Sequence, residues 1–252
     1  MKALFARLQQ KHRTISFPKG EPRLPDRYRG LPILNEAVCE AGCGACLEAC
    51  PTGALAKTDG RLSLDLGRCL FCSRCERVCP AGAVRFGRDY RQAARSRSDL
   101  VVSGPEIKRA AALDKRLKSL LGRSLKLRQV SAGGCNACEA DTNVLTTIVY
   151  DVGRFGIQFE ASPRHADGLL VTGPVTENMR SALVKTYEAV PDPKIVIACG
   201  ACAVSGGMFA DLPDVRNGVE KTIPVDLFIP GCPPHPLTIL DGLLRLAGRI
   251  DD

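Results

Sequence analysis

Apolar residues in the second half of the chain gather into short segments at 125–130, 156–160, 168–172, 194–198 and 225–229, separated by glycine, proline and polar residues. Runs of this kind bounded by turn formers read as buried strands. Between them, apolar residues recur at helical spacing and predict helices over 141–150, 177–190 and 236–247, with Thr176 placed to cap the second. Strand and helix in alternation from residue 128 onward predict an α/β domain built on a doubly wound parallel sheet.

The first half has another rhythm. Residues 35–88 contain two similar halves, Cys39 to Ala54 and Cys69 to Ala83, each ending Cys-Pro-x-Gly-Ala, with Leu62-Ser63-Leu64 as a strand between them. This is an internal duplication. In residues 1–34, Pro18, Pro22, Pro25 and Pro32 favour extended chain beyond the apolar patch Leu4, Phe5 and Leu8, a patch suited to anchoring on a partner. Residues 89–127 are polar and basic, with Leu113, Leu117, Leu120 and Leu121 spaced as on a helix that crosses between domains. The expected division is a basic docking segment (1–34), a duplicated cysteine-rich domain (35–88), a basic linker (89–127) and the α/β domain (128–252).

Composition narrows the chemistry. With 252 residues, 45% of them hydrophobic and 25% charged, the chain can bury two cores and is not a disordered tail. It has no run of 18 apolar residues and no apolar centre of a signal peptide near its start, so a cytoplasmic chain is expected. Thirteen cysteines in such a chain point to metal rather than disulfides. The net charge of +8 is uneven: eight cationic residues face two anionic ones in 1–34, ten face four in 89–127, and ten face fifteen in 128–252. Three four-iron clusters, each about −2 with its thiolates, would bring the assembled chain to about +2, so its basicity does not imply nucleic acid. The two basic segments read either as solvated faces or as docking surfaces for an acidic or membrane-embedded partner.

Cys39-x3-Cys43-x2-Cys46-x3-Cys50-Pro51 and Cys69-x2-Cys72-x2-Cys75-x3-Cys79-Pro80 follow the bacterial ferredoxin run, with one extra residue after Cys39. Three closely spaced thiolates wrap one cubane cluster, and the fourth, turned away by its proline, reaches the cluster of the other half. Cluster one should therefore take Cys39, Cys43, Cys46 and Cys79, and cluster two Cys69, Cys72, Cys75 and Cys50. Zinc sites need only two pairs of ligands and give no reason for a third cysteine and a Cys-Pro, twice. This half resembles the dicluster ferredoxin subunit of formate hydrogenlyase and hydrogenase-4 complexes, and the related subunit of respiratory complex I. The likeness runs from about Ser16 to Asp99 and includes Tyr28-Arg29-Gly30 and Gly67-Arg68-Cys69-Leu70-Phe71-Cys72.

Four more cysteines, Cys135, Cys138, Cys202 and Cys232, fall where strands should end, the edge at which open parallel sheets gather ligands. Glycines beside them let the backbone turn tightly and bring amide hydrogens to the sulfurs. Gly134-Cys135-Asn136-Ala137-Cys138-Glu139, Gly200-Ala201-Cys202-Ala203-x2-Gly206-Gly207 and Pro230-Gly231-Cys232-Pro233-Pro234 look like the small subunit of membrane-bound, energy-converting NiFe hydrogenases. The resemblance covers 125–250 and extends to the homologous complex I subunit. It implies that Cys135, Cys138, Cys202 and Cys232 hold the single 4Fe-4S cluster nearest the active site. The complex I version is expected to carry adjacent cysteines at the first position, so Cys135-x2-Cys138 favours hydrogenase over quinone reductase. Cys199 reads as a small buried strand residue rather than a ligand in place of Cys202. Glu139 reads as a helix-opening carboxylate, with a proton path as its alternative. His12, His165 and His235 share no spacing that makes a site, and His235 reads as a surface residue near an interface.

The expected fold is an α+β dicluster ferredoxin-like domain followed by an α/β doubly wound, flavodoxin-like parallel-sheet domain, a fusion of two subunits usually separate. It would hold three 4Fe-4S clusters in series. The resemblance implies an electron-transfer subunit of a NiFe hydrogenase complex, peripheral on the inner face of the cell membrane. Its partners would be the NiFe large subunit, membrane-embedded subunits, and a donor such as formate dehydrogenase, carbon monoxide dehydrogenase or ferredoxin. A complex I-like quinone oxidoreductase is the alternative, and a basic zinc-containing nucleic-acid binder is the rival of another class.

Overall fold

A computed structural model describes residues 2–40, 42–58, 60–104, 107–114, 119 and 124–250. The first half runs through α1 (Lys2–Gln10), β1 (Pro32–Leu34), α2 (Ala45–Glu48), β2 (Leu55–Thr58), β3 (Arg61–Asp65), α3 (Arg74–Val78), β4 (Val84–Phe86) and β5 (Val101–Val102). Helix α1 covers the apolar patch and leaves Leu4, Phe5 and Leu8 exposed, at 64–69%. β1 pairs antiparallel with β4, and β3 lies antiparallel between β2 and β5. The strand expected at Leu62-Ser63-Leu64 is the middle of β3, and its alternation buries both leucines at 1% exposure.

The second half contains β6 (Leu125–Ser131), α4 (Ala137–Val144), β7 (Ile157–Phe159), β8 (Gly168–Thr172), α5 (Glu177–Ala189), β9 (Ile195–Cys199), α6 (Ala201–Ser205), β10 (Leu227–Ile229) and α7 (Pro236–Leu246). All neighbours in this five-stranded sheet are parallel, in the spatial order β7-β6-β8-β9-β10. Counted within the domain, that is second, first, third, fourth, fifth, the flavodoxin-like order with its switch point between β6 and β8. β6, β8, β9 and β10 feed both faces, and β7 feeds one. Leu169, Val171, Val196, Ala198 and Phe228 share one apolar core with Leu62, Leu64 and Leu66 of the first half. Leu127, Leu170, Ile197 and Ile229 pack with Leu240, Leu243 and Leu244 of α7. Cover on both faces is the reason β8, β9 and β10 are apolar almost throughout, whereas β6 and β7 interleave polar residues.

The segment expected as a linker is tied to both halves. β5 adds to β3, Ala94 and Phe228 exchange backbone hydrogen bonds of 3.0 and 2.8 Å, and the Leu113 amide donates to Leu246 at 2.9 Å. Leu113 is buried but not helical, and the helix expected through Leu117, Leu120 and Leu121 lies outside the described residues. The helix expected at 141–150 begins earlier, at Ala137, and ends at Val144. Beyond it, Thr146 and Thr147 turn their hydroxyls onto the Asn143 and Val144 carbonyls at 2.8 and 2.7 Å, local bonds that compete with a helical ladder. Thr176 takes the N-cap position of α5 without a capping side-chain bond. Its side chain lies instead against Gly133, where an added Cβ would meet its methyl group at 2.4 Å.

Candidate metal centres

The duplication places its eight cysteines around two small pockets. Cys39, Cys43, Cys46 and Cys79 line one, with Leu62 and Pro80. Cys50, Cys69, Cys72 and Cys75 line the other, with Leu64 and Phe86. Each fourth cysteine thus crosses to the other half, as the Cys-Pro turns direct. The crossing sulfurs are held alike: the Ala54 amide donates to Cys50 Sγ at 3.2 Å and the Ala83 amide to Cys79 Sγ at 3.1 Å. The Phe71 amide donates to Cys69 Sγ at 3.3 Å. Among the described residues no three His, Cys, Asp or Glu side chains meet closely enough to hold a lone metal ion. In both pockets the cysteines surround a space, and all-sulfur donors with amide hydrogens aimed at them fit iron-sulfur chemistry.

Burial pushes the thiols up, to about 12 at Cys69 and about 11 at Cys75, with neighbouring cysteines adding to it. At Cys50 burial acts the same way, but the amides of Thr52 and Ala54 outweigh it and leave the thiol lowered. Without metal Cys69 and Cys75 hold protons that iron must displace.

The third group assembles at the carboxyl ends of the parallel strands. Cys135 and Cys138 follow β6, Cys202 opens α6 beyond β9, and Cys232 follows β10. Cys135 and Cys232 are exposed, and Cys138 and Cys202 are half-buried. Burial and the facing sulfurs Cys232 and Cys135 lift Cys202 to about 11, while burial and then Cys199, Cys202, Glu139 and Cys232 raise Cys138. Gly200, at φ +94°, lets the backbone pass 2.5 Å from Cys138 Sγ as measured from where a Cβ would stand. Only glycine fits both its conformation and that approach.

Cys199 ends β9 with its side chain in the core beside Ile195 and Ile197, fully buried and lifted to about 12, mainly by that burial. Glu139 is buried beneath this group. Its carboxylate accepts the Thr172 hydroxyl at 2.6 Å and a bond from Ser131, tying the ends of β6 and β8 across the switch point. Burial raises its pKa, but the two hydroxyls more than offset that and hold the carboxyl below its usual range. His235 departs from the surface role expected of it. Its Nδ1 accepts the Leu237 amide at 3.2 Å as the N-cap of α7, and its ring meets Tyr28. Isolated histidine spacing carries no signal for a capping role of this kind.

A cavity of about 300 Å³ joins the second and third groups. Cys72, Phe71 and Tyr28 line it from the first half, and Cys232, Pro233 and His235 from the second. Close by, the Ser205 hydroxyl donates to the Gly67 carbonyl at 2.8 Å, and a Cβ on Gly67 would stand 2.7 Å from the Val204 side chain. Gly67 is therefore a contact point between the halves.

Residues 135–246 match the family described as NADH ubiquinone oxidoreductase, 20 Kd subunit, and residues 38–83 match the 4Fe-4S dicluster domain. The chain is 46% identical over 135 residues to the probable membrane-bound hydrogenase subunit mbhJ of Pyrococcus furiosus, covering 52% of this chain and 81% of that protein. It is 45% identical over 141 residues to formate hydrogenlyase subunit 7 of Escherichia coli, covering 56% of this chain and 54% of that one. It is 47% identical over 120 residues to NAD(P)H-quinone oxidoreductase subunit K of Synechococcus sp., covering 47% of this chain and 50% of that one. The chain thus spans about half the length of the last two relatives. With a relative matched over most of its length and both cysteine-bearing halves recognised, the chain belongs to the family of the NADH ubiquinone oxidoreductase 20 kDa subunit, preceded by a 4Fe-4S dicluster domain, and is a subunit of an oxidoreductase complex.

Proposed function

We propose that this chain is the electron-transfer subunit of a membrane-associated NiFe hydrogenase complex, delivering electrons to a large-subunit active site for proton reduction. Three four-cysteine groups would each hold a 4Fe-4S cluster: Cys39, Cys43, Cys46 and Cys79; Cys69, Cys72, Cys75 and Cys50; and Cys135, Cys138, Cys202 and Cys232. The clusters supply one-electron chemistry at the low potentials this reaction needs. What the chain itself does is bind, order and insulate. The observation that supports the reading is the cavity walled by Cys72 on one side and Cys232 on the other, which suits passage from the second group to the third, with the first as the entry.

Beside the third group, Cys135 and Cys232 are exposed, and Met208, Phe209 and Leu212 expose apolar side chains at 67%, 42% and 51%. An apolar rim around accessible ligands suits a protein partner that closes the site from water, here the NiFe large subunit. No helix among the described residues is long and apolar enough to cross a membrane, so attachment would run through membrane-embedded subunits. Formate dehydrogenase, carbon monoxide dehydrogenase or ferredoxin would supply electrons at the first group.

A quinone-reducing assembly is the second reading, favoured by the 47% identity to subunit K of Synechococcus sp.. Cys135-x2-Cys138 weighs against it. Purifying the native complex decides between them. The hydrogenase reading expects stoichiometric nickel in the partner, hydrogen evolution, and about 12 iron and 12 sulfide on this chain. Quinone reduction without nickel overturns it in favour of the second reading, and zinc without sulfide overturns both.

A further inference from the structure

The first four-cysteine group differs from the second in one respect that the duplication does not explain. Cys39 is followed by one residue more than its counterpart Cys69 before the next cysteine, which lengthens the loop that must deliver its sulfur. Opposite that loop, β2 presents Lys57. Its Nζ donates to Cys39 Sγ at 3.5 Å and to the Glu40 carbonyl at 3.0 Å. The same Glu40 carbonyl accepts the Cys43 amide at 3.3 Å, so it is the pivot of the turn from one cysteine to the next. Cys39 itself is set by a short 3₁₀ turn, Glu36–Val38, which Asn35 caps through a bond from the Ala37 amide at 3.2 Å. Lys57 therefore grips the loop on both sides of its turn, from a strand held in register by Leu62 across the hairpin.

Among the described residues the corresponding sulfur of the second group, Cys69, receives a neutral donor alone, the Phe71 amide. Among the described residues Lys57 is the one cationic side chain hydrogen-bonded to a cysteine sulfur. A one-electron reduction adds a negative charge to the group that Cys39 holds. A positive charge within hydrogen-bonding distance of a ligand sulfur stabilises that added charge, and does so more strongly where it is half-buried than in open water.

We infer that Lys57 is a charged clamp on the first group: it fixes the lengthened Cys39–Cys43 loop and raises the reduction potential of the cluster bound there. The inference rests on the ligand assignment proposed above. Its consequence is that the entry group captures electrons from a donor more readily than its bare sulfur set would.

The test uses the full chain with its clusters reconstituted, titrated potentiometrically with EPR detection of all three centres. Lys57→Gln keeps a donor for the Glu40 carbonyl and removes the charge. Lys57→Arg keeps the charge. The expected result is a shift of the first centre to more negative potential in Lys57→Gln, no shift in the other two, and near wild-type behaviour in Lys57→Arg. Loss of the first centre in Lys57→Gln with retention in Lys57→Arg also supports the clamp. An unchanged midpoint in Lys57→Gln, an equal shift at all three centres, or loss of the first centre in both variants overturns it. Failure of the ligand assignment shows separately, as a wild-type chain that takes up no four-iron centres.

Discussion

Tyr28 and His235 meet edge to face where the two cysteine-bearing halves adjoin, with ring centroids 5.1 Å apart. The tyrosine comes from the proline-rich lead and the histidine from the turn just after Cys232, so one aromatic contact braces the wall between the second and third cysteine groups. Burial, partly offset by a hydrogen bond with Thr238, pushes the Tyr28 hydroxyl up to about 12, so it stays protonated. Removing the ring in Tyr28→Ala should slow electron passage between these groups and cost about 1 kcal/mol beyond the lost area. Tyr28→Phe keeps the ring and should keep the rate. Pulsed reduction followed by time-resolved absorbance reads this directly, and equal rates in Tyr28→Ala and wild type would count against the contact.

Cys202→Ser should lose or convert the third centre while leaving the other two. Cys199→Ser places a hydroxyl in a fully buried position, costs about 1 kcal/mol if that hydroxyl finds no partner, and should leave all cluster spectra unchanged. EPR of the two variants separates the cysteines. Loss in Cys199→Ser with retention in Cys202→Ser would reverse the assignment.

Asp241 and Arg245 form an ion pair at 2.9 Å inside α7, their side chains 2% and 6% exposed. Breaking a buried ion pair from one side is destabilising, and Asp241→Ala should cost about 3–5 kcal/mol in denaturant melts. Replacing both, as Asp241→Leu with Arg245→Met, should recover most of that loss. A double variant as weak as the single would show that the pair is not acting as a unit.

Asp89 takes Arg91 at 2.8 Å and Arg109 at 3.3 Å, and its carbonyl accepts the Leu31 amide, fastening the segment between the halves. Burial raises its carboxyl, but the arginines prevail and hold it below the usual aspartate range. A folded-state value below the unfolded one of about 3.9 stabilises fully above that pH and is lost as pH falls through the depressed value. Wild type should therefore exceed Asp89→Asn by about 1–2 kcal/mol at pH 5–8, with the gap closing below about pH 4. A gap that persists at pH 2 would assign the difference to packing.

What the sequence made legible follows from how local each signal is. The run at 168–172 became β8 without adjustment, because a strand covered on both faces needs apolar residues throughout and Gly173-Pro174 ends it. The crossing of Cys50 and Cys79 was readable because proline fixes the chain direction beside each. The limits of α4 were not readable: Asn136, at φ 70°, sets its start, and threonine side chains set its end. The pairing of Val101 with Asp65 joins residues far apart in sequence, and nothing near Val101 announces it. Lys57 was missed for the same reason, since its partner sulfur lies 18 residues away and no periodicity connects them.

Because Cys72 and Cys232 wall one cavity within a single covalent chain, the junction between them has no dissociation constant. Two separate polypeptides making the same contact would part on dilution and would depend on balanced synthesis of each. Here the tether and the shared core of Leu64 and Phe228 hold the local concentration of one group at the other fixed, whatever the cellular abundance. Stoichiometry at this step is thereby set by translation rather than by mass action.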